Sequence, residues 1–351
     1  MNEYCTSADR IPHILPRRGT VRFLTQALEN CWSPLPLTIA RDRSVPMRRR
    51  LQELMACGRH EVVVCDFLSQ AVNVPAVEQV VLLQHNIETM IWRRMAGQAP
   101  TALHRWLYSQ QARRMFAFEK RVCQNAAHVI AVSKLDAATM RDTFEVERVN
   151  SISTGVDGEY FRRPGDLTMK SDLVFVGSLD WMPNIDGIQW FVTEVLPQIR
   201  QRRPDCKLAL VGRNPTSLVR QLCERDPHIH LYADVPDVRP FLWGAHAAIV
   251  PLKVGGGTRL KIYEAMAAAT PQVSTTIGAE GLEVEPGKDI LLAESPEDFA
   301  SACLLLLDDE QARVRIAESA LRMVNERFGW PQVGRAFEEI LQQVRKRPRV
   351  H

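Results

Sequence analysis

The 351-residue chain has little net charge, no paired cysteine motif and no long apolar run. Each absence removes a class of function. Its 44 basic and 41 acidic residues leave a formal charge of +3, so the overall balance predicts no nucleic-acid partner. The cysteines, Cys5, Cys31, Cys57, Cys65, Cys123, Cys206, Cys223 and Cys303, include no CxxC pair and join no zinc-spaced histidine cluster. Reduced, structural thiols are expected. No stretch reaches the roughly 18 apolar residues that a bilayer span needs. The opening segment MNEYCTSADRIPHILPRRG has no apolar core, so no secretory signal is expected, and a cytoplasmic location follows by default. Internal repeats and low-complexity tracts are also missing. What remains is 46% hydrophobic and 24% charged, the composition of a folded protein with room for two domains.

Short apolar runs alternate with helical patterns, which predicts an α/β fold with largely parallel sheets. In the first half the strands are EVVVCDF (61–67), VVLLQH (80–85), HVIAVS (128–133) and VNSIS (149–153). A helical segment fills 87–125, and Pro100 is expected to divide it. In the second half the strands are DLVFVGS (172–178), KLALVG (207–212), HIHLYA (228–233), AAIVPL (247–252), PQVST (271–275) and DILLA (289–293). The polar stretch YFRRPGDLTMKSD (160–172) reads as the linker. Domains are therefore expected at 1–165 and 166–330, with a C-terminal helix and tail over 331–351 packing back toward the first. No convincing strand precedes residue 61. The basic residues cluster in RDRSVPMRRR (41–50) and between Trp92 and Arg121, where they could attract an anionic membrane surface.

The most informative stretch is VPLKVGGGTRLKIYEAMAAATP (250–271). It places Gly255, Gly256 and Gly257 after a buried strand and opens a helix near Thr258 or Arg259. Unpaired N–H groups and the helix dipole make such a junction an anion site, and glycine removes the Cβ that would block a phosphate. Arg259 and Lys261 sit on the first turn, where cations oppose the dipole unless a diphosphate is bound. Glu264, further along, could accept hydrogen bonds from the hydroxyl pair of a ribose. A glycine-rich connection with solvated charges explains the same spacing. Rival motifs fit less well: Leu260 stands where a dinucleotide fingerprint needs glycine. GLEVEPGKD (281–289) has the wrong spacing for a P-loop and ends on Asp289 instead of Ser or Thr.

Several motifs together resemble family 4 of the retaining glycosyltransferases. In the second half they are VFVGSLDWMPNIDGIQWFVTEVLPQI, LVG, the run DVPDVRPFLWGAHAAIVPLKVGGGTRLKIYEAMAAATPQVST and IGAEGL. In the first they are VVVCDF, LLQHNIETMIWRR, VIAVSKLD and STGVDGEYF. The resemblance implies a GT-B fold, two Rossmann-like domains facing a cleft. It also implies transfer of a sugar from a nucleotide donor, with retention, to a saccharide or lipid-linked acceptor in cell-surface polysaccharide assembly. It assigns donor contacts to Gly177, Gly212, Val235, Gly256, Gly257, Thr258 and Glu264, and contact with the transferred sugar to His85. Glu88 reads better as a helix N-terminal acid than as a catalyst, and Ser133 and Gly155–Asp157 as shapers of the cleft. Arg259 and Lys261 would carry the diphosphate's counter-charge, with no metal and no cofactor.

Two departures stand out. The family's first motif glutamate is replaced by Gly256, and the loop GSLDWMPN carries no cation. The first domain also looks incomplete at its front, so an exposed strand edge and a poorly stable first half are expected. A non-catalytic donor-binding subunit, or an inactive remnant, is therefore the alternative reading; a sugar epimerase is a third.

Overall fold

The structure is a computed structural model that describes residues 5–15, 20–165, 170–254 and 260–346. It divides into two compact units, Met1–Ile152 with Phe337–His351, and Ser153–Ala336.

The first unit is built on four parallel strands, β1 (Val63–Asp66), β2 (Val80–Gln84), β3 (His128–Ala131) and β4 (Val149–Ser151), lying side by side in chain order. Register is set by pairs such as Val63↔Val80, Val81↔His128 and Val129↔Val149. β2 and β3 are buried on both faces, which is why their sequences are apolar runs instead of alternations. β1 forms an edge of the sheet, with Val64 exposed. Among the described residues no strand precedes it; the helices Val21–Glu29, Leu37–Arg41 and Val45–Ala56 come first. Ser44 caps the last of these by accepting from the Met47 N–H at 3.4 Å, with Pro46 in its first turn. The arginines of 41–50 are partly engaged there: Arg50 pairs with Asp9 and Glu53, and Arg48 donates to the Val74 carbonyl.

The segment 87–125 is two helices, Glu88–Gly97 and Ala102–Asn125, broken around Pro100 as its ring requires. The second starts at Thr101, whose hydroxyl accepts from the His104 N–H. Deep in the unit, Glu119 of that helix reaches the end of β2 and the start of the Glu88 helix. Its carboxyl accepts from Gln84 Nε2 (2.6 Å), the Glu88 and Thr89 N–H groups (both 2.9 Å) and the Thr89 hydroxyl (2.5 Å). A carboxylate at a helix N-terminus answers the orphan donors and the dipole there. Burial raises its pKa to about 7, against the pull of the Thr89 and Glu88 donors.

The second unit holds six parallel strands, β5 (Ser171–Val176), β6 (Leu208–Gly212), β7 (Ile229–Ala233), β8 (Ala245–Val250), β9 (Gln272–Ser274) and β10 (Leu291–Leu292). Their order is β10-β9-β8-β5-β6-β7. One core cluster, around Phe191, Phe299, Leu208 and Ile249, and another, around Tyr263, Met266, Val211 and Val250, flank the sheet. The boundary between units falls before the polar stretch 160–172, not within it. Residues 153–165 attach to the second unit: the Val156 N–H donates to the Phe328 carbonyl (2.8 Å), and Trp243 Nε1 donates to the Phe161 carbonyl (2.9 Å). Val156 and Phe161 are buried in its core. The helix Trp330–Arg345 contains the second crossing point.

β5 and β6 run so close at their carboxyl ends that a Cβ on Gly212 would lie 1.8 Å from the Gly177 carbonyl oxygen. Only backbone movement could relieve that clash, so Gly212→Ala is expected to cost about 3 kcal/mol in urea unfolding. A loss well under about 1 kcal/mol would contradict the close approach. For Glu119, a folded pKa of about 7 against an ordinary 4.5 means that the folded chain holds a proton the unfolded one releases. Stability tied to this group is present below the unfolded value and is lost as pH rises toward about 7. The stability of the natural chain relative to Glu119→Gln should therefore fall by about 3 kcal/mol across that window. A difference that stays flat with pH would refute the raised value.

Candidate functional site

In the second unit the chain leaves β5 toward β6 and β7, then returns to β5's other side as β8. The strand order reverses between β5 and β8, and a parallel sheet opens a crevice at the carboxyl ends of such a pair. The residues gathered there are polar and come from several loops.

Lys261, near the start of the helix Leu260–Ala267, extends toward the end of β5. Its ammonium donates to Asn184 Oδ1 at 3.0 Å and lies 4.4 Å from the centre of the Phe175 ring. Asn184 is fixed in turn, donating through Nδ2 to the Ser178 carbonyl at 2.7 Å. Gly177 makes the approach possible. A Cβ there would sit 2.7 Å from Lys261 Nζ and 2.9 Å from Asn184 Nδ2. Glu264 lies on the same helix and is half-buried. Burial raises its pKa, and the Lys261 charge works in the other direction.

The adjoining loops form one hydrogen-bonded chain. Arg213 Nε donates to Ser178 Oγ at 3.5 Å, and that hydroxyl donates to Asp180 Oδ1 at 2.6 Å. Asn214 Nδ2 donates to the other Asp180 oxygen at 3.2 Å, while the Asn214 N–H donates to Asp234 Oδ1 at 3.0 Å. The Asp234 N–H closes on the Gly212 carbonyl at 3.0 Å. Asn214 and Asp234 adopt left-handed backbone angles (φ 53° and 52°), which short amide and carboxyl side chains tolerate. The Ser178 hydroxyl, then Asn214 and Arg213, hold the Asp180 carboxyl below the usual range. Arg213 thus puts a cation beside the very loop whose own sequence has none.

Of the site residues expected from sequence, the donor contacts Gly177 and Gly212 and the counter-charge Lys261 come together around these strand ends, and Glu264 lies three residues beyond Lys261 on its helix. The Val235 side chain packs against the core cluster that contains Val211. Gly256, Gly257, Thr258 and Arg259 lie outside the described residues. Asn184, Asp180, Arg213, Asn214 and Asp234 were not singled out by sequence reasoning as site residues. The signal for some of them was present: GRN and AD directly follow the β6 and β7 strands, where carboxyl-end loops must lie. A hollow of about 730 Å³ in this unit, beside Arg162, Asn325 and Trp330, shares no residue with the constellation.

In the first unit His85 follows β2. Its Nε2 lies 2.6 Å from Asp66 Oδ1, and its ring stacks on Phe67 with centroids 4.2 Å apart and planes 28° from parallel. Asp66 ends β1, so parallel pairing of β1 and β2 brings the two together. The carboxylate accepts the Nε2 proton, which in the neutral ring leaves the lone pair on Nδ1. Phe67 has φ 69° and ψ 136°, a region that costs a bulky residue about 1–3 kcal/mol. Glu88 occupies the first turn of its helix, and burial raises its pKa. Ser133 caps the helix Lys134–Phe144, accepting from the Asp136 N–H at 2.9 Å. Asp157 likewise accepts from the Tyr160 N–H at 2.9 Å. Among the described residues, no three His, Cys, Asp or Glu side chains converge as a metal site requires.

Residues 170–309 match the family model for Glycosyl transferases group 1. A 44.6 kDa uncharacterized protein in the cps region of Klebsiella pneumoniae is 26% identical over 164 residues, covering 45% of this chain and 42% of that protein. The MMP alpha-(1->4)-mannosyltransferase of Mycolicibacterium hassiacum is 26% identical over 251 residues, covering 67% and 59%. The chain spans about half the length of these curated relatives. Among solved structures, sucrose-phosphate synthase from Thermosynechococcus elongatus superposes with a TM-score of 0.67 at 18% identity, covering 85% of this chain and 77% of that one. Anabaena Alr3699/HepE, in complex with UDP and glucose, gives 0.62 at 13% identity, covering 85% and 81%. At such identities the likeness is one of fold. The chain has the GT-B fold of two Rossmann-like α/β units, and the second carries the glycosyl transferases group 1 match.

Proposed function

We propose that this chain is a retaining hexosyltransferase. It would move a sugar from a nucleoside diphosphate donor to a saccharide or lipid-linked acceptor in cell-surface polysaccharide assembly. One observation carries the reading: within the stretch that matches the glycosyl transferases group 1 model, the Lys261 ammonium stands beside the Cβ-free backbone of Gly177 at the strand-order reversal. A diphosphate fits that combination of fixed cation, close backbone and crevice. The binding of UDP by Anabaena Alr3699/HepE supports the same ligand class here.

The chemistry follows from where charge develops. As the bond between the anomeric carbon and the diphosphate oxygen breaks, the departing diphosphate gains negative charge. The acceptor hydroxyl bonds to that carbon and gives its proton to the oxygen of the departing diphosphate, which has gained the bonding electron pair. Lys261, with Arg259 and the N–H groups of the glycine segment, would stabilise the leaving group more than the intact donor. These cations make a metal unnecessary in the proposal. Glu264 would hold the ribose hydroxyls. His85, oriented by Asp66 and Phe67, would meet the transferred sugar.

A second reading, a donor-binding subunit without transfer activity, is favoured by Gly256 standing where the family pattern has its first glutamate. Transfer from radiolabelled nucleotide sugars to a saccharide acceptor separates the two. Donor binding with no transfer would select the second reading, and absence of both would overturn each.

Lys261→Ala should lower kcat by about 100-fold while weakening donor binding by less than 10-fold. Equal losses in both would remove the leaving-group role. Glu264→Ala should abolish the preference for a nucleoside diphosphate over its 2′-deoxy form, measured by calorimetric titration. An undiminished preference would take the ribose away from Glu264.

A further inference from the structure

We propose that the tip of the Glu88–Gly97 and Ala102–Asn125 helical pair docks on an anionic phospholipid bilayer. Two independent features meet there. The first is charge. From Thr89 to Phe118 the sequence contains Arg93, Arg94, Arg105, Arg113 and Arg114 and not one Asp or Glu, in a chain whose overall charge is almost balanced. Arg114 is turned inward, donating to the Asn30 carbonyl at 2.7 Å, but Arg93, Arg105 and Arg113 are exposed. Arg93 and Arg113 line a hollow of about 600 Å³ with Ser109 and Phe116, wide enough for a phosphate headgroup.

The second feature is apolar. Leu103, Trp106 and Leu107 are 64%, 59% and 44% exposed, and they stand at i, i+3 and i+4 on one helix face. Residues 100–107 are all exposed, so this end of the helix lies at the surface of its unit. An exposed Trp flanked by leucines and arginines is costly in water and suited to the headgroup boundary, where the ring buries and the guanidiniums meet lipid phosphate. Neither signal would hold a protein to a bilayer alone; together they supply the pair that peripheral binding needs. In the arginine-rich stretch 41–50, by contrast, Arg48 and Arg50 are taken up by neighbours.

The proposal uses the first unit only and stands apart from the donor-site reading, because its test needs neither sugar nor nucleotide. The full chain is sedimented with vesicles of phosphatidylcholine alone and of phosphatidylcholine with phosphatidylglycerol. Binding is expected only with the anionic vesicles, and it should fall by about 10-fold or more in 0.5 M salt. The variant L103S/W106S/L107S and the variant R93Q/R105Q/R113Q should each lower partitioning by about 10-fold or more. All six positions are exposed, so both variants should keep the natural circular dichroism and melting temperature. Failure of the natural chain to bind anionic vesicles overturns the proposal. So does undiminished binding by either folded variant. Self-association of the natural chain that the apolar variant abolishes, with no vesicle binding, would instead assign the face to a second copy.

Discussion

A parallel sheet can be covered by helices everywhere except where its strand order reverses. In the second unit that place is the seam between β5 and β8, and the local chemistry follows from it. Helices depart in opposite directions from the two strand ends, so the loops at the seam must satisfy their own backbone groups. They do so with short polar side chains: Asn184 on the Ser178 carbonyl after β5, and Thr275, after β9, on the Leu252 carbonyl after β8. Those bonds fix the loops, and fixed loops allow Lys261 to be held against Gly177 with its charge in a defined position. The tight contact of Gly212 with Gly177 is the steric side of the same arrangement.

The first unit solves a comparable problem with one buried acid. Glu119 collects four donors from Gln84, Glu88 and Thr89, and so ties the end of β2 to the helix after it. Residues 85–87 span that join and include His85. Burial opposes the charge while the donors favour it, and this balance sets where the carboxyl titrates. Positional order at the histidine therefore derives partly from a residue on a different helix.

Much of the strand layout was legible in the sequence, because buried parallel strands announce themselves as apolar runs. HVIA, VVLL and LALV needed no other clue. The break at Pro100 was legible for an equally local reason, a missing N–H and a ring that cannot be accommodated. The anion-site reading of the glycine segment and its downstream Lys261 and Glu264 also rested on local chemistry. Asp66 and Phe67 were not seen, since their meeting with His85 depends on the register between β1 and β2. Glu119 reads as an ordinary helix-surface acid until the helix is docked. The Ser178–Asp180–Asn214–Asp234 chain joins three loops distant in sequence, and pattern reading stops at each loop's end. Polarity marks 160–172 as a connector, whereas two apolar residues, Val156 and Phe161, are already buried in the second unit's core.

Phe67 holds a torsion pair that favours a residue with no side chain, yet its ring is what the imidazole of His85 leans on. Relaxed main chain and an orderly imidazole are therefore mutually exclusive at this one position. A glycine would ease the bend and leave the heterocycle to swing. The bulky ring keeps it seated and leaves the polypeptide under tension at the end of an edge strand.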